Sequence, residues 1–160
     1  LLSRRNGVLA LDKQNDEVYL AKGCETWPVE LAEKLLASPL SWGPPTYVFG
    51  HYVDDPNQPD QFDEFLKLAR CVDGAYKRHG GDMGEAWDWA NPVIEHVRAG
   101  DSCAEYTTQD LLDILFLCLR GDRFSDGLIR SVEPLLRRML QEVVRRVHSP
   151  TPPVFLAWKE

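Results

Sequence analysis

The sequence predicts a mainly helical α+β domain, with a small N-terminal β-hairpin or sheet followed by a helical core. Three observations carry this expectation. Short apolar runs rich in β-branched and aromatic residues lie in the first third of the chain, long stretches with helical apolar spacing follow, and 160 residues is the size of one domain. The organisation expected is a single domain over 1–160, β-rich over 1–53, helical over 54–149 and extended over 150–160. A chain of this length buries roughly two thirds of its unfolded surface, so stability requires neither disulfides nor metal.

Val8–Leu11 and Glu17–Leu20 flank the polar stretch Asp12–Asp16 and read as two strands of a hairpin. Thr26 can cap a helix with Pro28 in its first turn and Val29, Leu31, Ala32, Leu35 and Leu36 as its apolar positions, ended by Pro39. Trp42–Pro45 reads as a loop and Thr46–Phe49 as a third strand. An acidic, proline-punctuated connector, Asp54–Asp60, precedes a helix whose expected buried face is Phe62, Phe65, Leu66, Ala69, Val72 and Tyr76, running to about His79–Gly81. A helix over about Glu85–Arg98 is expected to be interrupted by Pro92 unless a new turn begins at Asn91.

Thr107 and Asp110 form a variant capping box opening a helix through Leu119. That helix is apolar nearly all round, which places it at the buried centre. The last helix begins near Ser125 or Asp126 and is expected to be divided by Pro134, with the main piece starting near Glu133. Its apolar half is Val132, Leu135, Leu136, Met139, Leu140, Val143, Val144 and Val147, and Arg130, Arg137, Arg138 and Arg145 cluster within about a quarter of the wheel on the other side. The apolar tail Pro152–Trp158 either packs back on the domain or docks elsewhere.

Composition narrows the function classes. A 44% hydrophobic and 27% charged chain is globular in type, and no apolar run reaches a membrane-spanning length. A formal charge of −7 disfavours a general nucleic-acid binder. The charge is uneven: residues 120–146 hold seven arginines against four acids, whereas residues 82–113 hold eight acids and one basic residue, Arg98. An arginine stripe on an acidic protein either neutralises the protein's own acids or meets an acidic partner or a polyanion.

The four cysteines, Cys24, Cys71, Cys103 and Cys118, form no C-x-x-C and have no histidine at ligand spacing, so neither a metal nor any other cofactor is implied. Cys118, inside Leu115–Leu119, reads as a free core thiol. Leu1 is expected to follow a trimmed or missing start, no signal-peptide pattern follows it, and a reducing cytoplasm is the default compartment.

The most compact motif is Arg120-Gly121-Asp122-Arg123-Phe124-Ser125-Asp126-Gly127-Leu128, between two strongly apolar helices. As architecture, Gly121 ends the first helix, Ser125 or Asp122 caps the second, Phe124 plugs the corner and the arginines pair with Asp122, Asp126 or the acids around Asp88. As a site, Arg120 and Arg123 grip an anion near a helix N-terminus. Trp87, Asp88 and Trp89 are likewise either core anchors or the lining of a ligand cleft.

The motif, the Asp54-Asp55-Pro56 segment before an aromatic helix, and Asp88-Trp89 about thirty residues upstream together resemble an uncharacterised bacterial domain family of unknown function. The likeness covers roughly residues 47–140. It departs where that family places a glycine in the second helix and this chain has Val132-Glu133-Pro134. Since the family has no established activity, the resemblance implies a domain and no reaction.

No G-x-S-x-G, phosphate-cradling glycine loop or metal-ligand spacing is present. Glu85 and Asp88 share a helical face, but nothing in the sequence sets them across a cleft, and the histidines are scattered. The function expected is therefore a non-catalytic interaction or regulatory domain of a cytoplasmic bacterial protein with a protein partner. The alternatives are a polyanion or nucleic-acid binder using Arg130, Arg137, Arg138 and Arg145, and a small-ligand or enzymatic domain using Arg120, Asp122, Arg123, Phe124 and Asp126 with Trp87, Asp88 and Trp89.

Overall fold

The structure, a computed structural model, describes residues 16–37, 59–120 and 126–158, the side chains of 59–65, 120 and 126–133 excepted. Its elements in chain order are β1 (Glu17–Leu20), α1 (Trp27–Ala37), α2 (Pro59–Arg78), α3 (Met83–Arg98), a 3₁₀ turn (Cys103–Glu105), α4 (Thr108–Arg120), α5 (Asp126–Val147) and β2 (Val154–Ala157). This is the mainly helical α+β class. The expected strands Val8–Leu11 and Thr46–Phe49, and the loops at Trp42–Pro45 and Gly121–Ser125, lie outside the described residues.

β1 and β2 pair in parallel, with Glu17 opposite Val154 and Leu20 opposite Ala157. The Val154 N–H donates to the Asp16 carbonyl at 2.8 Å and the Trp158 N–H to the Leu20 carbonyl at 2.5 Å. A parallel pair needs a long crossover, and here the whole helical body supplies it. The tail thus packs back as a strand, which settles the choice left open between packing and docking elsewhere.

α4 is the centre. Every residue from Leu111 to Leu119 is buried, and the helix packs against α2, α5 and β1. Each such leucine contributes roughly 1.5–3 kcal/mol of burial. α1 crosses onto α5, and its Trp27 ring stacks on Phe116 of α4 with centroids 5.9 Å apart. All four cysteines are free and buried, Cys118 among them.

Three helix expectations change. Pro134 does not divide the last helix, and Pro92 does not interrupt α3: both helices are continuous through their prolines. Pro92 and Asp88 are both exposed, so the carbonyl that the proline ring deprives of its partner lies on the solvent side, and Pro134 is exposed too. On α2 the buried seam is Leu68, Cys71, Val72 and Ala75, whereas Leu66 is 44% exposed. The seam keeps i, i+3, i+4, i+7 spacing but is rotated from the expected face, because α2 packs on α4 and α3 and not on a face chosen by its aromatic residues.

α2 ends in two left-handed glycines, Gly80 (φ 118°) and Gly81 (φ 105°), and the Gly81 N–H reaches back to the Tyr76 carbonyl at 2.7 Å. The next helix follows at once, with the Asp82 carboxylate capping α3 by accepting the Glu85 N–H. This tight reversal delivers Arg78 and His79 to the side of α4.

Candidate functional site: a buried carboxylate network on α4

Asp113 is a charged residue in the middle of an apolar helix, and it is 0% exposed. A buried carboxylate is tolerated only when paired and hydrogen-bonded. Asp113 is fully served. Its Oδ1 accepts from Arg78 Nη2 at 2.5 Å and from Gln109 Nε2 at 3.2 Å. Its Oδ2 accepts from Arg78 Nε at 2.9 Å and lies 2.8 Å from His79 Nε2. The arginine contact is bidentate, the strongest form of such a pair.

The partners are themselves held. The His79 ring lies flat on Trp89 of α3, with centroids 3.4 Å apart and planes within 8°. The Arg78 guanidinium sits 5.1 Å from the centre of the Trp158 ring, just after β2. Gln109 accepts the Tyr19 N–H at 2.7 Å and donates to the Tyr19 carbonyl at 3.1 Å, so its amide acts as a strand neighbour along the edge of β1. One carboxylate therefore ties α2, α3, α4 and both strands together.

Asp110 lies one turn before Asp113 on α4. Burial, and then the neighbouring Asp113 charge, raise its carboxyl above the ordinary value. His79, Asp110 and Asp113 each offer a ligand atom within 4.8 Å of the others, a donor set of the type that divalent cations use. The hydrogen-bond geometry disfavours that use, because a cation would have to displace Arg78 or Gln109 from Asp113.

The residues singled out in the sequence fall elsewhere. Asp122, Arg123 and Phe124 lie outside the described residues; Arg120, Asp126 and Arg130 sit on α4 and α5, but their side chains lie outside them as well. Trp87 is buried, Asp88 is exposed and Trp89 stacks on His79, so this tripeptide points in three directions. The arginine stripe is largely engaged by the protein itself. Arg137 Nη1 lies 3.5 Å from the Leu35 carbonyl, Arg138 donates to the Val97 and Asp101 carbonyls, and Arg145 grips Glu142.

Neighbouring Arg146 donates to Glu142, to the Thr108 hydroxyl and to the carbonyls of Cys103 and Tyr106, clasping the 3₁₀ turn to α5. Burial alone would raise the Glu142 carboxyl, yet the hydrogen bonds from Arg145 and Arg146 hold it below the ordinary value.

Sequence reasoning missed Arg78, Gln109 and Asp113, and saw His79 only as a helix-terminal residue. One signal was legible: Asp113 is the single charge within Leu111–Leu119, and a charge in a helix apolar all round must find a buried partner. Which residue would supply that partner depends on the fold. No protein-family model, no curated protein and no solved structure matches this chain. Among the described residues no helix is long and apolar enough to cross a membrane.

Proposed function

We propose that this chain is a non-catalytic interaction domain of a cytoplasmic bacterial protein, and that it receives a basic protein partner on the outer face of α3. The single observation behind this reading is the layout of exposed charge there. Glu85, Asp88 and Glu95 are exposed within about a quarter of the helical circumference, with Asp82 exposed at its start and Asp101 and Glu105 exposed beyond its end. Arg98 is the one basic residue between Asp82 and Asp113, and it is paired with Glu95.

The other surfaces considered are less available. The tail is a strand of the sheet, and the arginines described on α5 bond to the protein's own carbonyls and to Glu142. The buried network supports a non-catalytic reading, because both oxygens of Asp113 already accept hydrogen bonds from Arg78, one of them also from Gln109, with His79 against the other. Four free thiols suit a reducing compartment.

The test is titration with a labelled lysine-rich peptide, read by anisotropy, beside heparin as a polyanion. The peptide is expected to bind with an affinity that falls with salt. Reversing Glu85 and Asp88 to Lys should weaken it about tenfold or more. The matched double reversal Glu30→Lys with Glu33→Lys, at exposed sites on α1, which packs on α5, should change it by less than about twofold. Equal losses from the two surfaces would reduce the effect to net charge and sink the reading. Heparin binding without peptide binding would replace it with the polyanion alternative.

A further inference from the structure

The turn after β1 is fastened to the middle of α2. The Cys24 N–H closes the turn on the Ala21 carbonyl at 2.9 Å, and the Arg70 guanidinium reaches across to the Lys22 carbonyl. Directly beneath, the Cys71 side chain meets the Cys24 thiol and the Ala21 backbone. Cys24 is 0% exposed and Cys71 is 1% exposed. The other two cysteines lie elsewhere: Cys118 is enclosed in α4, its thiol pushed up to about 12 by burial, and Cys103 sits in the 3₁₀ turn under α5.

We propose that Cys24 and Cys71 form a reversible disulfide when the protein meets a peroxide, stapling the β1–α1 turn to α2. The two thiols already interact, so the bond joins groups that the fold has brought together. The Cys71 thiol lowers the Cys24 thiol against the opposing effect of burial, with Arg70 and Lys67 also lowering it. Cys71 is pushed up, by the Cys24 thiol and by burial, and keeps its proton. Cys24, in the turn directly after exposed Lys22 and Gly23, takes the attacking role, and Cys71 on α2 resolves.

The Cys24 thiolate attacks one oxygen of hydrogen peroxide. The O–O bond breaks, hydroxide leaves, and a sulfenic acid remains on Cys24. The Cys71 sulfur then attacks the Cys24 sulfur; the S–S bond forms, the S–O bond breaks, and the departing hydroxide leaves as water with the proton from Cys71. In sum, two thiols give up two electrons and one peroxide becomes two waters. Cys24 is buried, and the turn of exposed Lys22 and Gly23 directly before it is the segment whose opening would admit a molecule as small as peroxide.

The experiment uses the full chain and peroxide. After brief oxidation, denaturation and alkylation, free thiols should fall from four to two. The mass should drop by about 2 Da, a peptide map should link Cys24 to Cys71, and a dithiol should restore all four thiols. The oxidised form should melt higher by on the order of 5–15 °C, since the bond closes a long loop. Cys24→Ser and Cys71→Ser should each abolish the linkage, whereas Cys118→Ser should not. Should those variants fail to fold, the map of the unaltered chain decides alone. Four thiols surviving a dose that oxidises glutathione, a link between other cysteines or between chains, or over-oxidation of Cys24 without a link would each overturn the proposal.

Discussion

At the residue scale the structure turns on Asp113. Removing one partner of a buried pair leaves the other charge uncompensated, so Asp113→Ala should cost about 3–5 kcal/mol. Urea unfolding measures it. Arg78→Leu combined with Asp113→Leu should recover a substantial part of that loss, and a double variant no better than the single would show the pair is not the source. Zn²⁺ or Mn²⁺ should leave the melting temperature unmoved, because the carboxylate is already full; a rise growing with metal concentration would instead reveal a cation site. Gly80 makes a second demand. Its φ of 118° suits glycine, and a Cβ there would collide with the Glu85 side chain. Gly80→Ala should cost about 1–3 kcal/mol, and adding Glu85→Ala should recover only a part of it, because the Cβ of residue 85 itself would still collide with the new methyl, as successive urea midpoints will tell.

At the scale of elements, α4 combines a nearly all-apolar surface with a polar first turn. Thr107 caps it by accepting the Asp110 N–H at 3.0 Å, and Asp110 suits the positive end of the helix dipole. Burial and Asp113 nevertheless raise the Asp110 carboxyl. Its folded value then lies above its unfolded one, so the folded state holds the extra proton between them. The stability owed to Asp110 is present below the unfolded value and falls as pH rises through the folded one. Asp110→Asn should flatten that fall in urea midpoints measured from pH 4 to 7. Glu142 has the opposite sign: its depressed carboxyl contributes stability that is lost as pH falls through the folded value. Glu142→Gln should remove that acid-side loss, so the two variants separate the opposing slopes.

At the scale of the whole molecule, the two ends of the described chain are tied to one another. β2 pairs with β1, and Trp158 meets both Tyr19 (centroids 6.2 Å apart, nearly perpendicular) and the Arg78 guanidinium. Ending the chain before Pro152 should lower stability by roughly 2 kcal/mol or more and speed exchange of the β1 amides that face β2, while the amides of α4 stay protected. Equal loss of protection in α4 would mean the sheet is integral to the core and not a clasp laid over it.

Much of the local structure was legible from residue order alone. The periodicity of α4 and α5, the cap at Thr107, the proline in the first turn of α1 and the strand at Glu17–Leu20 each follow from interactions within a few residues. That Glu85 and Asp88 share a helical face was legible in the same way, from their spacing, whereas their exposure was not. What only the tertiary structure decided is which distant groups meet. That the tail becomes a parallel partner of β1, that α2 turns Leu68 and Cys71 inward in place of Leu66, and that Arg78, His79 and Gln109 converge on Asp113 all depend on contacts between residues far apart in the chain. Pro92 in α3 is tolerated for the same reason, since packing on one side holds the helix while the exposed side leaves the freed carbonyl to water, and Pro134 likewise takes an exposed position on α5. Local chemistry determines which segments are helices or strands and that a buried aspartate needs a partner, whereas long-range packing determines which partner it finds.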